Sequence, residues 1–365
     1  MPVAEYFSQD YHSARGLFQH AAQSAGAALQ TFELPGHRDP SNRPLTIDVG
    51  RIGTREPDRA LVILSGTHGV EGFCGSGCQV GFFVDHLCRA LPASACALLV
   101  HALNPFGFAW LRRVNEDGVD LNRNFIDFSK ALPSSTAYEA LHDYLVPTDW
   151  RGEGRRAADI GLDAYIKQHG PRAFQSAITG GQYTRPTGLF YGGATATWSA
   201  KTLISILRQQ LPPTVRYLAV LDLHTGLGPT AYGEPILTSR GAGDQERATK
   251  WYGPEVKDLA ADEAVAARLS GSISDGVSHA RPDVELTFLA LEFGTIPMMD
   301  VLTALRADHW LHSSPTGDPA LRTEIQLQMR NAFYCERVDW QAAVYGRTAD
   351  FIYRACRGLA TSSSP

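Results

Sequence analysis

Four segments of the chain are near-continuous runs of apolar, largely aliphatic residues, each closed by polar or glycine residues. They are Ala60–Leu64, followed by Ser-Gly-Thr-His-Gly-Val-Glu; Ala97–Val100, continuing to Asn104-Pro105; Tyr217–Leu221, followed by Asp-Leu-His-Thr-Gly; and Phe288–Leu291, followed by Glu-Phe-Gly-Thr. Apolar runs without polar alternation indicate strands buried on both faces, as in a sheet covered by helices. A further strand pattern lies near Leu45–Arg51. Helical patterns fill residues 9–30, Ser76–Ala90, Trp198–Gln210, Val256–Leu269, Met298–Leu311, Ala320–Glu336 and Trp340–Cys356. Strands alternating with helices predict the α/β class, a three-layer α/β/α sandwich around a mixed central sheet. Ligands in such sheets sit beyond the carboxyl ends of the strands, which is where the polar clusters fall.

Residues 125–197 break the alternation. They are rich in Gly, Pro, Tyr and Arg and include Gly180-Gly181-Gln182-Tyr183 and Leu189-Phe190-Tyr191-Gly192-Gly193. A long connection of this kind is functional or disordered, and its aromatic content favours an ordered lobe. The expectation is a single domain over 1–365 with an insertion at about 125–197 that walls the site at the strand ends. Residues Ser239 to Gly253 are expected to help shape the pocket, and the tail Thr361 to Pro365 to be frayed.

Composition changes this picture little. The chain is 44% hydrophobic and 19% charged with a net charge of −5, which supports a large core and argues against a nucleic-acid partner. No apolar run reaches the length of about eighteen residues that a membrane span needs. The N-terminus lacks a basic start followed by an apolar stretch, so the expected location is cytoplasmic. The six cysteines then read as free thiols.

His68 and Glu71 stand three residues apart just after a strand, a spacing that lets side chains converge on one face of a turn. An imidazole and a carboxylate are normal zinc ligands, and catalytic zinc takes three protein ligands and leaves a position for water. His224, also just past a strand, can supply the third. Alone, His-x-x-Glu is a weak signal, because ordinary loop residues fall at this spacing by chance. The segment Arg112–Phe125 adds context. Guanidinium forks bind carboxylates, and Asp120 can accept a hydrogen bond from the far nitrogen of a ligating histidine and fix its tautomer. Glu292 is a candidate general base, since a lone carboxylate closing an apolar strand is costly without a purpose. Asp222 reads as a turn cap. His86, His101, His142, His169, His279, His309 and His312 carry no motif and read as surface or satisfied core histidines.

His68-Gly-Val-Glu71, Asn104-Pro105, Gly118-Val-Asp-Leu-Asn-Arg-Asn124, Asp222-Leu-His224 and Leu291-Glu-Phe-Gly294 stand in the order seen in M14-type zinc carboxypeptidases. The wording of Leu-His-Thr-Gly-Leu-Gly, Leu-Glu-Phe-Gly-Thr and Leu-Phe-Tyr-Gly-Gly resembles the DUF2817 branch of that superfamily. The resemblance implies a zinc-carboxypeptidase-like fold and one zinc per chain held by His68, Glu71 and His224. It further implies Asp120 behind His68, Asn122 and Arg123 on the substrate carboxylate, Glu292 as general base and then proton donor, and Arg113 polarising the scissile carbonyl. Arg112 beside it competes for that last role. The mobile tyrosine of the digestive enzymes has no aligned counterpart; Tyr232 and Tyr252 fall in the right interval, and neither is carried over. The implied activity is hydrolysis of an amide or peptide bond next to a carboxylate-bearing group.

The nearest alternative shares this chemistry. Asp222-Leu-His-Thr225 and Asp120-Leu-Asn-Arg123 also resemble the succinylglutamate desuccinylase and aspartoacylase group, whose substrates are small N-acyl amino acids. A metal- or peptide-binding module without catalysis would lack a ligand, the base or the arginine, and all are present. A serine hydrolase would need Gly-x-Ser-x-Gly, and a nucleotide enzyme Gly-x-Gly-x-x-Gly or a phosphate loop with lysine; the sequence has none of them in the required setting. The expected partner is thus a small peptide or N-acyl amino acid.

Overall fold

The computed structural model describes residues 1–261, 264–313 and 318–362. Among these residues the strands are β1 (Ala28–Arg38), β2 (Pro44–Gly53), β3 (Arg59–Leu64), β4 (Ala95–His101), β5 (Tyr217–Thr230), β6 (Glu234–Leu237), β7 (Lys257–Asp258) and β8 (Glu285–Gly294). The helices are α1 (Tyr11–Ser24), α2 (Gly72–Val84), α3 (Pro105–Ala109), α4 (Thr136–Leu145), α5 (Glu153–His169), α6 (Pro171–Thr179), α7 (Trp198–Gln210), α8 (Asp244–Tyr252), α9 (Ile273–Ala280), α10 (Met298–Ser313), α11 (Pro319–Phe333) and α12 (Val338–Thr361).

The strands form one sheet in the order β1-β2-β4-β3-β5-β8-β6-β7. The four at its centre, β4, β3, β5 and β8, are mutually parallel, while β1, β2 and β6 add antiparallel pairings, so the sheet is mixed. Alternate residues of the central strands feed two cores, as the period of two requires. Leu61, Ile63, Ala97, Leu99, Leu221 and Leu291 pack with α1, α2, α8 and α10 to α12. Val62, Leu64, Leu98, Val100, Val220 and Phe288 pack with α7 and α9. Each such Leu or Val, once fully buried, contributes on the order of 1.5–3 kcal/mol. The expected three-layer α/β sandwich is therefore the observed one.

Three local expectations need correction. The helix expected over residues 9–30 stops at Ser24, and β1 begins at Ala28. This edge strand buries only Leu34, so it carries no apolar run to announce it. The helix expected at Ser76–Ala90 starts earlier, at Gly72, and ends at Val84 before a short 3₁₀ turn. Glycine hides its first turns from propensity; a Cβ at Gly75 would stand 2.6 Å from the Ser65 side chain. Among the described residues of Val256–Leu269, the expected α-helix is not formed. Lys257 and Asp258 pair with β6 instead. Arg172 donates to the carbonyls of Ala264 and Ala266, and Gln175 to that of Val265, so tertiary donors replace the helical ladder. Residues 262–263 of that expected helix, and 363–365 of the tail, lie outside the described residues.

The segment 125–197 holds α4, α5 and α6 and then runs back across the carboxyl ends of the strands. All six cysteines are free, four of them buried. Among the described residues, no helix is long and apolar enough to cross a membrane.

Candidate metal centre

The site is assembled where the central strands end. After β3 the chain turns through Ser65-Gly-Thr to His68 and makes a single 3₁₀ turn, Gly69–Glu71, before entering α2. Gly69 has φ +43°, and a Cβ there would lie 2.3 Å from the Arg112 carbonyl oxygen. Only glycine fits, and the Val70 N–H donates to that same carbonyl at 3.0 Å. The tight turn thus docks the arginine-bearing loop against the His-x-x-Glu segment. His224 comes from β5, and Glu292 is its register partner on β8. Two residues far apart in sequence therefore point the same way from adjacent strands.

His68, Glu71 and His224 are all buried, and one donor atom from each lies within 4.8 Å of the others. Glu71 accepts from Arg113 Nη1, from the Thr225 N–H and from His224 Nδ1, all at 3.1 Å. His68 Nε2 accepts from Arg113 Nη2 at 2.9 Å, while its Nδ1 faces Asp120 Oδ1 at 3.3 Å. Burial, helped by the Arg113 charge, holds the His68 pKa well below its usual value, so this imidazole is neutral. Burial also opposes charge on His224, but Asp222 and Glu71 on its two nitrogens outweigh it and raise its pKa well above normal. Glu292 accepts the Leu227 N–H at 3.1 Å. Its pKa is pushed up to about 8 by burial and by the charge of Glu71.

The donor set passes a chemical test for a divalent metal. Two imidazoles and a carboxylate are what a catalytic zinc takes from a protein. The buried cluster also holds four carboxylates, Glu71, Asp120, Asp222 and Glu292, against the guanidiniums of Arg113 and Arg123. A cation shared by the three donors would balance that surplus and take the place of the His224 proton.

A cavity of about 110 Å³ opens from these groups. Its polar lining includes Arg113, Asn122, Arg123 and Glu292, and its apolar lining includes Ile178, Phe190, Ile236, Leu269 and Phe333. Arg113 belongs to the site, with Nε on Asp120 Oδ2 at 3.0 Å. Arg112 points away and pairs with Asp308 at 3.1 Å. Asn122 accepts the Ile273 N–H through Oδ1. Arg123 is anchored by the Thr179 and Asn122 carbonyls while its side chain lines the cavity. Neither tyrosine in the expected interval lines it: Tyr232 is exposed beneath Arg347, and Tyr252 is fully buried on Phe351. Residues 239–253, expected to shape the pocket, do not line it, because α8 buries Ala248, Trp251 and Tyr252 in the core. Leu259, Ala266, Ala267 and Leu269 form that wall instead.

The model of a family described as a protein of unknown function (DUF2817) matches residues 7–347. The chain belongs to the DUF2817 family. No curated protein matches it. Among solved structures, this DUF2817 chain is similar to thrombin activatable fibrinolysis inhibitor, at 10% identity and a TM-score of 0.52 over 100% of this chain and 78% of the other. Carboxypeptidase A from Helicoverpa armigera matches at 13% identity and a TM-score of 0.44, over 94% and 73%. An aspartoacylase family protein from Mesorhizobium loti matches at 16% identity and a TM-score of 0.35, over 78% and 66%. At such identities the likeness concerns the fold, which is the α/β, carboxypeptidase-like one with an eight-stranded mixed sheet.

One residue of the DUF2817 site was misread from sequence. Asp222 does not cap a turn. Its Oδ2 lies 2.7 Å from His224 Nε2, and its Oδ1 accepts from Thr67 Oγ1 at 2.9 Å. It stands behind His224 as Asp120 stands behind His68, and through Thr67 it ties β5 to the turn that carries His68. The signal was in the sequence: residues two apart on a strand share a face, so Asp-x-His places a carboxylate beside an imidazole.

Proposed function

We propose that this protein is a zinc-dependent hydrolase that cleaves an amide bond next to a carboxylate-bearing group. The observation that carries this reading is the convergence of three metal-binding donor atoms within 4.8 Å, beside a cavity that Glu292 also lines. A zinc held by His68, Glu71 and His224 supplies Lewis-acid chemistry, which acidifies water and polarises a carbonyl.

The chain's own groups do the rest. Glu292 takes the proton of the attacking water and returns it to the leaving amine. A group that must do both works best with a pKa near the working pH, and burial raises that of Glu292 above the ordinary carboxylate range. The Arg113 guanidinium, paired through Nε with Asp120, presents positive charge to the developing oxyanion. Asn122 and Arg123 orient the substrate by its carboxylate, which turns an encounter into a positioned reaction. Asp120 and Asp222 hold the two imidazoles in place.

The substrate is a small peptide or an N-acyl amino acid. Parallel assays of dipeptides and N-acyl amino acids separate the two. Elemental analysis of the purified protein tests the core of the proposal. One zinc per chain is expected, lost in His68→Ala and in His224→Ala; a wild-type protein that takes up no divalent metal ends it.

A further inference from the structure

The Leu189-Phe190-Tyr191-Gly192-Gly193 segment has no role in the chemistry above, yet it touches the arginine loop at Arg113, Asp120, Arg123 and Asn124. The Tyr191 carbonyl accepts the Asp120 N–H at 2.8 Å, and the Gly192 carbonyl accepts Asn124 Nδ2 at 2.8 Å. The Phe190 carbonyl accepts the Gln182 N–H at 3.2 Å, linking it to the Gly180-Gly181-Gln182-Tyr183 segment. At Gly181, φ is +97° and a Cβ would stand 2.8 Å from Arg123 Cδ. Both segments are therefore moulded to Arg123 and its neighbours.

Phe190 itself is held at φ +55°, a left-handed conformation that costs a side-chain-bearing residue free energy and persists only where its surroundings enforce it. Its ring is buried, and the guanidinium carbons of Arg113 and Arg123 lie 5.5 Å and 5.9 Å from its centroid. Both are within cation–π range. The ring also lines a second cavity of about 190 Å³, shared with Arg112, Arg113 and His309, so it forms part of the wall between that space and the metal cavity. Two like charges that must converge on one small substrate repel each other. An aromatic face reaching both offsets that repulsion and fixes their planes.

We propose that Phe190 is a positioning residue that holds Arg113 and Arg123 in register with each other across the cavity. The catalytic part of this inference rests on the hydrolase reading; the placement of the arginines does not. Phe190→Leu keeps an apolar side chain and removes the ring face, and Phe190→Tyr keeps the ring. With zinc-loaded protein and benzoyl-glycyl-L-phenylalanine or N-acetyl-L-phenylalanine as probe, Phe190→Leu should lower kcat/KM on the order of tenfold, the scale of one or two cation–π contacts. Phe190→Tyr should stay close to wild type, and zinc content should be equal in all three. Phenylglyoxal labelling, mapped by peptide mass, should reach Arg113 and Arg123 faster in the leucine variant than in wild type. If Phe190→Leu does not fold, Phe190→Met replaces it. Leucine and tyrosine variants that behave alike, or unchanged labelling of both arginines, overturn the inference. If wild type hydrolyses neither probe, the hydrolase reading fails and the labelling comparison still decides whether Phe190 places the arginines.

Discussion

Two buried polar clusters sit on one sheet and are built from the same kinds of residue. One lies at the flank, between α1, β1, β2 and β4; the other is the candidate metal centre at the strand ends. At the flank, Asp48 accepts from Arg15 Nε at 2.7 Å, Thr31 Oγ1 at 2.6 Å, and Gln19 Nε2 and Thr46 Oγ1 at 2.8 Å. Its register partner His101 pairs with Ser76 at 2.9 Å and stacks on Phe18. Burial pushes the Asp48 pKa up, but Arg15 and Thr31 pull it below normal. Each charge there meets its complement. At the metal centre, Glu292 is pushed the other way, up to about 8, because burial and Glu71 both act against its charge. Residue types alone do not mark a site. The difference lies in charge left over beside a cavity, and perturbed groups in such a place are where chemistry is expected.

The largest test of that contrast is Glu292→Gln. Loss of an acid–base group lowers kcat by about 10²–10⁴-fold, with zinc still bound. Because the substitution also removes a charge that Glu71 opposes, and glutamine still accepts the Leu227 N–H, the metal-free protein should melt no lower than wild type. Full activity in this variant would defeat the mechanism even with zinc confirmed.

What the sequence revealed follows the same divide. The buried strands β3, β4, β5 and β8 were legible because both faces are apolar, and their polar ends located His68, Glu71, His224 and Glu292. Edge strand β1 and short β6 and β7 were not, since an edge buries little and a four-residue strand has no period to read. Arg112 and Arg113 are indistinguishable as neighbours; only the fold sends one to Asp308 and the other to Glu71. Asp222 was misread because Asp after a strand is common in turns, and its pairing with Thr67 spans 155 residues. Phe190 carries no titratable group, so a reading that looks for acids, bases and ligands passes over it.

A reciprocal pair of substitutions sharpens the comparison at intermediate size. Asp222→Asn should weaken zinc affinity by about 10–100-fold, the usual cost of losing a ligand's outer partner, measured by chelator competition. Asp48→Asn should leave zinc affinity unchanged and lower stability by about 2–3 kcal/mol, the scale of hydrogen bonds to a charged acceptor, measured by urea unfolding. If Asp48→Asn altered metal affinity as strongly as Asp222→Asn, the two clusters would not be separate in function.

The smallest expected effect concerns acid. His101 is fully buried between Phe18 and Ser76, and burial lowers its pKa to about 4, with Asp48 opposing and Arg15 adding to the shift. In the unfolded chain the same ring takes up its proton near 6.5. Between those values the unfolded state binds more protons, so stability must fall as pH falls. From pH 7 to pH 5 the loss from this one ring is on the order of 2 kcal/mol. His101→Gln removes the titration, so its stability should fall less steeply over that interval, whatever its stability at pH 7. Comparing the two slopes in metal-free protein isolates the flank, because the groups at the metal centre are common to both. Equal slopes would mean that the flank admits water or a proton more easily than its packing implies, and the division into a closed cluster and an open one would fail on its closed side.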